Sequence, residues 1–163
     1  MSGLTLVYAG ITVSLTRFRD RTPPRLPIEL NEFSRTAWGA INERGTAYES
    51  PHIWQVAAKV SDVRASPSTF SQADFLDALF NASRLNDADI LVYDYARNYS
   101  EPAPRTRALA PGGTAVTVGG SVRYPAQFNA RFNSALTLEM MTSNGSEWLA
   151  TFQLLETTKI LAT

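Results

Sequence analysis

Between His52 and Tyr95 the hydrophobic pattern switches from a period of two to a period near 3.6 and then to a continuous apolar run. From His52 to Val60, Trp54, Val56, Ala58 and Val60 fall on one face while Gln55, Lys59 and Ser61 fall on the other, the signature of a half-buried strand. A Ser/Pro-rich turn follows, and then a segment with good helix-start signals. Ser71 can cap the free amides, Asp74 stands three residues on, and Phe70 can staple onto Phe75. Phe75, Leu76, Leu79 and Phe80 recur at helical spacing, so the pattern predicts a helix over residues 72–86 that ends at Asn86-Asp87. Cap and staple are worth about 1 kcal/mol each, so the apolar stripe has to supply most of the stability. The apolar strand Ile90-Leu91-Val92-Tyr93 comes next.

Around this unit the chain reads as β, which makes the fold class mainly β (α+β) with one inserted helix and long loops. Residues 4–16 alternate in two registers that change at Ala9-Gly10, as two short strands or one strand broken by a bulge. Residues 17–27 form an arginine- and proline-rich arm whose prolines forbid interior sheet pairing. Strand-like text runs from Ile28 through Thr36–Ile41, and Asn42-Glu43-Arg44-Gly45 reads as a polar turn. Residues 96–113 read as a second long arm without regular structure, longer than most connections in a compact domain. Further strands are expected at Thr114–Val118, Val122–Tyr124 and Phe128–Phe132. The terminal hairpin pairs Leu136–Met141 with Trp148–Leu155. A two-residue Asn144-Gly145 turn of type I′ would set Met141 opposite Trp148 and Thr137 opposite Phe152. Both faces of that hairpin are apolar, so a cover is expected for each. All 163 residues are expected to form one domain.

Composition excludes more than it assigns. The formal charge is zero, so no global field draws the chain to nucleic acid or to an anionic membrane. No apolar run reaches the ~20 residues of a membrane helix, and no signal peptide is evident at the start. The absence of cysteine rules out disulfides and thiolate metal sites. His52 is the sole histidine, which removes metal sites built on paired imidazoles and weakens any Ser-His-Asp proposal. Asp87, Asp89 and Asp94 crowd together without the spacing of a calcium loop. No phosphate-binding glycine motif occurs. No catalytic residue, cofactor or metal ligand is therefore assigned. Arg21-x-x-Pro24-x-x-Pro27 matches a polyproline ligand by chance more readily than by design, and the sequons at Asn81, Asn98 and Asn144 carry no weight. Lysines stand only at Lys59 and Lys159; the other cations are arginines, which tolerate interfaces better.

The order of a Trp54 strand, the Asp74–Phe80 helix, the strand Leu91-Val92-Tyr93-Asp94-Tyr95 and a terminal Leu154-Leu155-Glu156 resembles the split β-barrel proteins of bacteriophage tails. These include distal tail and tube-initiator or baseplate-hub components. The resemblance covers about residues 36–156. It implies a split β-barrel, non-enzymatic and virion-borne after synthesis in the host cytoplasm. It also implies a self-associated ring, commonly a hexamer, that joins the tail tube to neighbouring baseplate or hub proteins. On that basis Arg21, Arg25, Arg105, Arg107, Trp148 and Phe152 are the expected subunit contacts. Rival readings are a carbohydrate- or receptor-binding module with Trp38, Tyr95 and Tyr99 as a sugar platform, a tail terminator or neck adaptor, and, least favoured, a hydrolase.

Overall fold

The structure is a computed structural model that describes residues 3–19, 23–27, 32–35, 41–44, 52–103, 105 and 107–159. Strands account for 54% of it, and a single helix is present among the described residues. The strands are β1 (Leu4–Tyr8), β2 (Ile11–Leu15), β3 (Arg25–Pro27), β4 (Glu32–Arg35), β5 (Ile41–Arg44) and β6 (His52–Ser61). Helix α1 (Gln72–Leu85) precedes β7 (Ile90–Pro102), β8 (Val116–Val118), β9 (Ser121–Phe132), β10 (Thr137–Met140) and β11 (Glu147–Lys159). The main sheet is antiparallel, in the order β2-β1-β7-β9-β11-β6-β3, with β10 on β11 and β8 on β9.

This sheet curls as a half-barrel. Its ends are tied by the chain that leaves β2. The Lys59 amide donates to the Arg17 carbonyl at 2.7 Å, the Arg19 amide donates to Ala57 at 2.8 Å, and Phe18 bridges to Ala58. The arm at residues 17–27 is thus bound, in its described parts, along the open side of β6. Its prolines are tolerated because that position is a sheet edge.

The inner face follows the expected alternation. Trp54, Val56, Ala58 and Val60 are buried and stand opposite Leu154, Phe152, Ala150 and Trp148 of β11. Trp54 stacks on Phe128 with ring centroids 4.2 Å apart. The helix closes over this core through Ala73, Leu76, Leu79 and Ser83. Its capping box is complete, since Asp74 N donates to Ser71 Oγ at 3.1 Å and Ser71 N to Asp74 Oδ2 at 2.9 Å. The expected stripe shifts by part of a turn. Phe80 leans edge-on against Phe132, while Phe75 is 41% exposed and meets Phe70 as a surface staple.

Several expectations fail for identifiable reasons. Residues 42–44 are not a turn; they belong to β5, which pairs with β4 through the backbone, and backbone pairing does not require apolar side chains. Gly45, Ile28, Thr36–Ala40 and Arg21 lie outside the described residues. The segment 96–113 is not structureless, because β7 runs on to Pro102. Between Asp94 and Tyr99 the strand takes five steps while its partner β9 takes two, from Ala126 to Tyr124, so the excess residues loop out as a bulge. The strands expected at 122–124 and 128–132 merge into one. Pro125 survives in its middle because its carbonyl accepts from Ala110 N at 3.0 Å and no ladder bond asks for its missing N–H.

The terminal hairpin is shifted by one residue, with Met140 opposite Trp148 and Thr137 opposite Thr151. Only Gly145 takes a positive φ there (69°), and Gly145 N donates to Thr142 O, so the turn is longer than two residues. The two-residue turns with two positive φ values occur instead at Ala9-Gly10 and Gly119-Gly120.

Candidate functional site

The densest chemistry in the fold lies where β6 starts, β7 and β11 end, and the segment after β7 folds back. Arg107 is completely buried there. Its Nε and Nη2 grip the two oxygens of Glu156 at 3.0 and 3.1 Å, and its Nη1 reaches Glu101 at 2.7 Å. Tyr124 joins both partners: its hydroxyl donates to Glu101 at 2.8 Å and accepts from the Arg107 amide at 3.0 Å. The His52 amide donates to Glu156 at 3.0 Å, and its ring Nδ1 lies 3.4 Å from both Glu156 Oε2 and Arg107 Nη2.

A second layer lies between this cluster and the apolar core. The Tyr99 ring carries the Arg25 guanidinium 4.0 Å from its centroid and the Arg107 guanidinium at 4.9 Å. Asp94 accepts from Trp54 Nε1 at 3.4 Å and from the bulge amides of Ala96 and Arg97 at 3.0 and 3.3 Å. Arg25 Nη1 lies 3.8 Å from the same carboxylate.

Protonation follows from this packing. Burial pushes the Asp94 carboxyl up, and the Arg25 charge with the bulge amides only partly offsets it. For Glu156 burial also pushes up, but hydrogen bonds from His52 and Arg107 and the guanidinium charge outweigh it, so the net shift is downward. Burial raises Tyr124 and Tyr99 as well, which keeps both hydroxyls protonated.

The cluster is buried, and its carboxylates are engaged by guanidinium, hydroxyl or amide partners. What the arrangement does chemically is lock the segment after β7 into the sheet. No family model matches the chain, and no curated protein matches its sequence. Among the described residues no helix is long and apolar enough to cross a membrane, and no group of three or more His, Asp or Glu could hold a metal ion. Asp87 and Asp89 hold Arg131, apart from Asp94.

The expected contact residues are scattered by this fold. Arg107 and Arg25 are drawn inward, Arg107 onto Glu101 and Glu156 and Arg25 onto the Tyr99 ring and toward Asp94. Arg105 is half-buried with its Nε shielded. Phe152 is buried against Phe132, and Trp148 sits half-buried on the inner face with its Nε1 donating to Gly145 O at 2.9 Å. Arg21 and Trp38 lie outside the described residues; of the other two residues expected in a sugar platform, Tyr99 is buried and Tyr95 is half-buried. Sequence reasoning missed Glu101, Tyr124 and Glu156 as partners of Arg107, because they lie 6 to 49 residues from it along the chain. The available signal was a terminal strand that placed Glu156 in phase with Phe152 and Leu154.

The surface offers sheet edges instead. Within the described residues β8 pairs only with β9, and β10 only with β11. Val116 and Val118 on β8 are 54% and 64% exposed, and Met140 on β10 is 57% exposed.

Proposed function

We propose that this chain is a non-enzymatic structural component of a bacteriophage tail or baseplate, assembling into a ring that joins the tail tube to adjacent baseplate or hub proteins. The observation that carries the reading is the pair of open strand edges, β8 and β10, bearing exposed Val116, Val118 and Met140. An apolar edge such as β8, with backbone groups unpaired among the described residues, is a template for another chain, and a solitary protein guards such edges with charge or cover; β10 carries exposed Glu139 beside Met140. The tail assignment rests on the resemblance of residues 36–156. The internal engagement of Arg25, Arg107, Glu101 and Glu156 accords with a scaffold rather than a catalyst. Such a protein is made in the host cytoplasm and ends in the virion.

Native mass spectrometry and negative-stain imaging test this. The expected result is a closed ring of identical subunits, lost when Val116→Lys and Val118→Lys are combined while the far-ultraviolet circular dichroism is kept. A chain that stays monomeric at every accessible concentration, with and without tail-tube protein, would overturn the reading.

A further inference from the structure

We propose that the cleft between the β7 bulge and the turn at residues 111–114 is a binding site for a neutral sugar. The cleft has a volume of about 310 Å³ and is lined by Tyr95, Asn98, the turn from Pro111 to Thr114, and Pro125. That size lies at the lower end of the ~300–1,000 Å³ typical of small-molecule sites.

The walls are held in place by bonds within the chain. Tyr95 Oη donates to the Pro111 carbonyl at 2.7 Å, the Gly113 amide donates to Ala110 O at 2.9 Å, and Ala110 N donates to Pro125 O at 3.0 Å. Gly113 lets the turn press onto Pro125, since a Cβ there would stand 2.5 Å from the proline ring. Gly112, with φ +72°, faces open space. The site is thus built before any ligand arrives, which reduces the ordering cost of binding.

The lining selects the ligand. Among the described residues no charged side chain lines the cleft, although Arg97 is adjacent in sequence to Asn98. A phosphate or carboxylate would find neither a guanidinium nor a helix N-terminus to meet it. A purely apolar ligand would strand the Asn98 amide and the Thr114 hydroxyl, both exposed and without a hydrogen-bond partner among the described residues. A pyranose satisfies both requirements. Its C–H face lies against an aromatic or proline ring, and its hydroxyls pair with an amide that both donates and accepts.

The test uses the full chain on an array of neutral oligomers of glucose, galactose, rhamnose and N-acetylglucosamine, with sulfated and sialylated glycans alongside. Calorimetry then follows on the best binder. Binding to a neutral class, unchanged by raised salt, is expected. Asn98→Ala combined with Thr114→Val is expected to weaken it by roughly tenfold, the loss of one or two hydrogen bonds, with the melting temperature and ring assembly intact. Three results would overturn the proposal: no neutral glycan bound, binding confined to acidic glycans and abolished by salt, or neutral binding that the double variant leaves unchanged. Assembly is read separately by native mass spectrometry, so the ring and the sugar site stand or fall independently.

Discussion

Arg107 shows how one residue can commit a whole segment. Removing it leaves Glu101 and Glu156 facing each other without their shared cation, and an uncompensated buried charge costs far more than a lost contact. Arg107→Ala is therefore expected to destabilise the fold by about 3–5 kcal/mol in urea unfolding. Replacing Arg107, Glu101 and Glu156 together by Met, Gln and Gln should recover much of that loss, because no unpaired charge remains. If the triple variant were no more stable than Arg107→Ala, the cluster's charge pairing would not be what holds the segment. The pH dependence follows from the same atoms. The Glu156 carboxyl is lower in the folded chain than when unfolded, so its contribution is fully present above the unfolded value near 4.5 and is lost as pH falls through the folded one. Asp94 is raised, so it acts with opposite sign: its ionisation costs stability as pH rises through its folded value. Asp94→Asn is expected to flatten the second effect, and Glu156→Gln the first, in stability measured across the acid range. Neither carboxylate was legible as a partner in the sequence. A run of three apolar residues ending in Tyr93-Asp94 gives no hint that Asp94 turns inward to satisfy bulge amides two and three residues ahead.

At the scale of elements, hydrophobic periodicity and the helix cap were legible, whereas turn geometry set by side-chain bonds and pairing with distant strands were not. The β6 alternation and the Ser71 cap are decided within a few residues. The capping box formed as expected, with Ser71 Oγ also donating to Asp62 at 2.6 Å. Ser71→Ala is expected to cost about 1 kcal/mol in thermal unfolding, and more if the Asp62 bond adds to the cap. The terminal hairpin failed by one residue because its turn is not set by the Asn-Gly pair alone. Asn144 spends its side-chain oxygen on Ser146, at 3.2 Å from the amide and 2.8 Å from the hydroxyl, and stays out of the left-handed region. Thr142 contributes a further bond to the Glu147 amide at 3.2 Å. The left-handed conformation falls on Gly145 alone, which makes it the position to test. Gly145→Ala should destabilise by about 1 kcal/mol, whereas Asn144→Asp, which keeps the accepting oxygen, should change little. The bulge in β7 was illegible for a related reason. The segment after Tyr95 looks irregular until β9 is placed beside it, and β9 lies a helix-free stretch of more than 20 residues further on.

For the whole molecule, the curled sheet separates what is held from what is available. The described parts of the arm, residues 17–19 and 23–27, line the open side of β6 with few bonds, and the ion pair between Arg17 and Glu147, at 2.7 Å, is exposed and worth little. Among the described residues β8 and β10 pair on one side only, and the proposal that a neighbour covers them makes a distinct prediction for hydrogen exchange. Amides that pair within the sheet, such as those of β6 and β11, owe their protection to the fold itself and should exchange alike in monomer and ring. Amides on the outer sides of β8 and β10 have no partner within the described chain, so they should exchange quickly in dilute monomer and slowly once subunits associate. The Arg19 and Lys59 amides, which the arm already binds, should show local opening that assembly does not change. Exchange followed by mass spectrometry across a dilution series distinguishes these classes. Protection that grows with concentration at Val116–Val118 or Thr137–Met140, and not at residues 17–19, is the expected result. If protection grew instead along the arm, the contact would run over the edge of β6, and the lysine substitutions on β8 should then leave assembly untouched.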